Sequence, residues 1–118
     1  MVLRKGSVST AAVLAAGLSF AFGAPVWAAD GKQLYDTNCT SCHGAGGKGD
    51  GPAGQFLNPK PKDFATALKG QSDADVTKVI AEGGAAAGKA AIMPAYKGKL
   101  GDEDLKAVVE YVKSFVPK

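Results

Sequence analysis

The chain has 118 residues, 14 basic and 11 acidic side chains, a formal net charge of +3, and two cysteines. That length allows one domain at most. Charges so nearly balanced leave no basic stripe of the kind nucleic acids require, so no nucleic-acid partner is expected.

Residues 1–28 read as a cleaved secretory signal peptide. Arg4 and Lys5 give the positive start, and an uncharged, mostly apolar run follows from Val8 to Ala24. Pro25 breaks the run and Val26-Trp27-Ala28 offers small residues at the two inspected positions. Cleavage is expected after Ala28. An uncleaved anchor is the alternative, but the run is rich in Ala, Ser and Gly and falls short of the roughly 20 apolar residues a spanning helix prefers. The domain is then residues 29–118, with 12 basic against 11 acidic side chains once Arg4 and Lys5 are gone. No membrane insertion is expected of it. A domain this small buries little of its own surface and gains from a staple or cofactor.

Asp30 can cap a first helix that opens on Gly31-Lys32-Gln33-Leu34-Tyr35. Tyr35, Cys39 and Cys42 stand at i, i+4 and i+7, one face of that helix. Cys39-Thr40-Ser41-Cys42-His43 is the C-x-x-C-H arrangement of covalent c-type haem attachment. Cysteines three apart share a face and can close two thioether bonds to one porphyrin, and the adjacent His43 can turn its ring to the iron. Three other readings compete. A redox Cys-x-x-Cys needs a strand–helix context the sequence lacks, and a structural zinc site needs four ligands where three are present. A Cys39–Cys42 disulfide would leave the neighbouring histidine without a purpose.

Gly44 to Pro52 contains five glycines and a proline, which forbid regular structure. The spacing lacks the Walker pattern for phosphate, and the segment reads as a loop passing close to something flat and bulky. Leu57-Asn58-Pro59-Lys60-Pro61-Lys62 is a second, stiff loop. Asp63 can cap a short helix from Phe64 to Lys69, and Ser72 with Asp75 resembles a capping box before Val76, Val79 and Ile80. Gly83-Gly84 ends that helix. A small-residue loop from Ala85 to Gly101 carries Ile92-Met93-Pro94-Ala95-Tyr96. Asp102, Glu103 and Asp104 open the last helix, whose apolar stripe is Leu105, Val108, Val109, Val112, Phe115 and Val116. No strand and no repeat is evident, so the fold class is all-α.

Met93 is the one methionine beyond the signal. An isolated methionine is most often core filler. Here it stands in a bulk-poor loop, and Pro94 biases it toward an extended backbone that presents the side chain. His43 with Met93 as axial ligands of the haem iron is a pairing suited to electron transfer.

With these residues assembled, the domain resembles the small bacterial monohaem class I cytochromes c. The resemblance implies about four helices with long loops wrapped around one covalent haem. It also implies a first helix crossing the last, with Gly31 and Tyr35 facing Val108 and Tyr111. Gly51-Pro52 is similar to the family's glycine-proline after the haem motif, which implies that the Pro52 carbonyl accepts the Nδ1 proton of His43. Met93-Pro94 with Tyr96 is similar to its distal ligand loop. Tyr96 reads as packing. Lys60, Lys62, Lys89, Lys97 and Lys99 read as solvated lysines, or alternatively as a ring that steers an acidic partner.

The function expected is that of a periplasmic one-electron carrier, a monomer meeting its redox partner proteins transiently, and not an enzyme. One alternative is an electron-transfer subunit of a larger oxidase or dehydrogenase complex, for which the site would be the same. Another is an open-site haem enzyme or gas sensor. That role is short of residues, because there is no second histidine and the only arginine, Arg4, leaves with the signal.

Overall fold

The computed structural model describes residues 30–118 together with Val2, Gly6 and Gly17. Those three apart, the expected signal peptide and its cleavage site lie outside the described residues. Asp30 caps the first helix, α1 (Gly31–Asn38), by accepting from the Lys32 N–H. Cys39 interrupts it with φ −121°, and a short helix, α2 (Thr40–His43), follows. The single first helix of the sequence reading is therefore two segments with a break at the first cysteine. A 3₁₀ turn at Gly54–Phe56 precedes α3 (Phe64–Ala67), where the Asp63 side chain accepts from the Ala65 N–H. Ser72 and Asp75 form the reciprocal capping box that starts α4 (Asp73–Glu82). The last helix, α5 (Asp102–Lys113), has its three acidic residues in the first turn and Lys113 in the last, both favourable against the helix dipole. Among the described residues there is no strand, only an isolated bridge between Lys97 and Leu100. The all-α class stands.

The core follows from the stripes. Leu105, Val108, Val109 and Val112 of α5 are buried together with Val76 and Ile80 of α4, Tyr35 of α1 and Leu100. Phe115 lies beyond the last helical residue and packs against this cluster from outside. Helix α1 crosses α5 with little separation because Gly31 has no side chain. A Cβ there would fall 2.2 Å from the Ala107 carbonyl oxygen. Tyr35 and Val108, both fully buried, meet at that crossing, and Tyr111 tilts over Tyr35 with ring centroids 5.2 Å apart. The implied crossing of first and last helices is present. It leaves the cysteines and α4 on the side away from the crossing, where the site lies.

Candidate haem site

A cavity of about 570 Å³ opens between α2, α4 and the loops that follow α2 and α4. Cys39, Cys42 and His43 line it from one end of the chain, and Met93 and Tyr96 from the other. Leu57, Pro59, Pro61, Leu68, Val76, Val79, Ile80 and Ile92 make its wall predominantly apolar. The volume falls within the roughly 300–1,000 Å³ of cofactor sites. The four candidate attachment and ligand side chains are thus brought to one apolar hollow, although Met93 lies far along the chain from the cysteines.

The donor chemistry fits a haem. Both cysteines are free thiols. Burial, then the neighbouring Cys42, pushes the Cys39 thiol up to about 11, so it stands protonated at neutral pH. Burial holds His43 below its ordinary value, which keeps the imidazole neutral as metal ligation requires. The competing metal reading finds no support: among the described residues, no group of three His, Cys, Asp or Glu side chains could hold an ion.

Three details depart from the sequence reading. His43 Nδ1 is sealed from solvent and has no hydrogen-bond partner, so the expected bond to the Pro52 carbonyl is not formed. Pro52 is exposed. The backbone around it is drawn onto α2 instead, with Gly51 N–H donating to the Cys42 carbonyl at 3.3 Å and Ala53 N–H to Ser41 at 2.8 Å. The same bonds correct the reading of the glycine-rich loop. It packs over the end of α2, with Gly49 N–H on the His43 carbonyl at 2.8 Å, and none of residues 44–52 lines the cavity. Tyr35, in turn, does not share the cavity with the cysteines. Its ring joins the core, and its hydroxyl donates to the Gly44 carbonyl at 2.5 Å.

Sequence reasoning missed Phe64. Its ring stacks on His43 with centroids 4.7 Å apart and planes inclined by 27°. Phe115 stacks behind it at 6.2 Å. The only local signal at Phe64 was its place at the first turn after the Asp63 cap, which says nothing of a ring 21 residues earlier. Of the five lysines considered, Lys60, Lys62 and Lys89 line the cavity, whereas Lys97 and Lys99 are exposed and do not.

Comparison with known proteins gives the family. The family model described as cytochrome c matches residues 28–115. Cytochrome c6 of Microcystis aeruginosa is 39% identical over 83 residues, covering 70% of this chain and 90% of that protein. Cytochrome c6 of Picosynechococcus sp. is 32% identical over 96 residues, 79% of this chain and 80% of that protein. The cbb3-type cytochrome c oxidase subunit FixP of Bradyrhizobium diazoefficiens is 36% identical over 87 residues, 74% of this chain. The chain spans about a quarter of the length of the cbb3-type subunits it matches, 27% for that FixP. No solved structure matches the chain.

Proposed function

The chain belongs to the cytochrome c family, an all-α family of electron-transfer proteins with covalently bound haem c, and on that premise we propose that it is an exported, periplasmic one-electron carrier. Cys39 and Cys42 would hold the porphyrin by thioethers, and His43 and Met93 would be the axial ligands of its iron. The haem iron supplies the one-electron couple. The observation that carries the reading is the convergence of Cys39, Cys42, His43 and Met93 on one apolar cavity.

The chain's own residues do the rest. The neutral His43 ring is clamped by Phe64 on one face, which limits its rotation. The Met93 backbone is hung on the end of α4, its carbonyl accepting from Gly84 N–H at 3.0 Å. Apolar wall residues keep water from the interior and favour the less charged oxidation state. Lys60, Lys62 and Lys89 lie at the same cavity, where positive charge would speed encounter with an acidic redox partner. Contact over such a small patch suits a brief encounter. The protein is not an enzyme on this reading, and it works as a monomer.

Matured holoprotein tests the reading. Haem that stays with the polypeptide after denaturation and acid extraction is expected, as is a ferrous form that does not take up CO rapidly. Haem that extracts freely, or fast CO binding, would overturn it. A second reading has its own support in the resemblance to cbb3-type oxidase subunits. If the chain serves a membrane complex, it should be recovered with membranes in a pull-down rather than from a periplasmic extract.

A further inference from the structure

Helix α1 ends at Asn38, and the break at Cys39 frees a carbonyl. In an unbroken helix the Asn38 carbonyl would accept from the Cys42 N–H, four residues on. Here the Cys42 N–H turns to the Cys39 carbonyl at 3.3 Å. The Asn38 carbonyl accepts instead from the Tyr96 hydroxyl at 2.8 Å, across 58 residues of chain. Tyr96 follows Met93 by three positions and lines the same cavity.

The other hydrogen bonds of the Met93 loop lead elsewhere. Tyr96 N–H donates to the Ile80 carbonyl at 3.0 Å and Lys97 N–H to Ala81 at 2.9 Å, which fastens the loop to α4. Gly84 sits so near that a Cβ on it would lie 1.8 Å from the Ala90 carbonyl oxygen and 3.1 Å from Met93 Cβ. Among the described residues, the Tyr96 hydroxyl makes the one hydrogen bond that joins this loop to Asn38, the residue directly before the Cys39–His43 segment.

We propose that Tyr96 is a positioning residue: its hydroxyl bond to the Asn38 carbonyl locks the Met93 loop to the attachment segment and so sets the separation of the two sides of the cavity. The proposal rests on Met93 and His43 facing one haem. The tie is polar and directional, so it fixes register where apolar packing alone would let the loop slide. Because the break at Cys39 leaves its acceptor without a helical donor, helix break and loop position are one device. Tyr96 thereby does more than pack.

Holoprotein carrying Tyr96→Phe keeps the ring and loses only the hydroxyl. Two readouts apply. Native-state hydrogen exchange in the loop 84–100 is expected to quicken about five- to tenfold, the effect of one lost buried hydrogen bond, with the α1–α5 amides unchanged. The iron–sulfur charge-transfer band of the ferric protein is expected to vanish at a lower temperature than in the wild type. Unchanged loop exchange in Tyr96→Phe overturns the proposal, and quickened exchange confined to Tyr96→Ala would mark ring packing as the whole role. Failure of the underlying ligand assignment looks different. The wild type would then lack the band and Met93→Ala would leave the spectrum unaltered, while loop exchange would still decide the part played by Tyr96.

Discussion

His43 is held by packing where a hydrogen bond was expected. Its Nδ1 is buried without a partner, and Phe64 lies across its ring. Burial lowers its proton affinity below the ordinary imidazole value, which suits a ring that is to ligate iron and not to bind a proton. Tyr35 carries the prediction at this scale. Its buried hydroxyl satisfies the Gly44 carbonyl just past α2. That carbonyl also accepts from Gly47 N–H at 3.1 Å, so Tyr35→Phe removes one of its two bonds and should cost about 0.5–1.5 kcal/mol in chemical denaturation of the holoprotein, with the haem still attached.

At the scale of elements, local chemistry was readable where the partners are neighbours in sequence. Asp30, Asp63 and the Ser72–Asp75 box all cap as their spacing implies. Ser72→Ala should therefore cost about 1 kcal/mol, read as a lower thermal midpoint. The α1–α5 crossing was legible through the resemblance at Gly31, Tyr35, Val108 and Tyr111. Gly31→Ala should destabilise the holoprotein markedly, because the new methyl group meets helix backbone at Ala107 and not a side chain that could move aside. An unchanged denaturation midpoint would show that the helices can separate without cost. The break at Cys39 was not legible. An i, i+4, i+7 face at Tyr35, Cys39 and Cys42 argues for a continuous helix, and the carbonyl that the break frees finds its partner in Tyr96, far along the chain. The glycine-rich loop misled for a similar reason. Its glycines do allow a close approach, but to the carbonyls ending α2, which no composition reveals.

Across the molecule, the attachment motif and Met93 could be found from sequence because each residue type is scarce here. Two cysteines, one histidine and one methionine beyond the expected signal left few ways to build a site. What scarcity could not supply was the support around them, namely the Phe64 stack and the Tyr96 tie. The apolar core is thin and the cavity is large beside it, so the haem would complete the hydrophobic interior as well as carry the electron. The Cys39→Ala/Cys42→Ala chain, expressed without attached haem, should then lack a cooperative unfolding transition. A sharp transition in that chain would show that the helices are self-sufficient.

All of this turns on whether His43 and Met93 close the iron between them. The absorption of the ferric holoprotein in the red, where iron bonded to a thioether shows its charge-transfer band, answers that in one experiment. A band present in the wild type and absent from Met93→Ala, with the haem covalently retained in both, is the expected result. A wild type without the band, or a Met93→Ala protein that keeps it, would mean that another group or none occupies the sixth position.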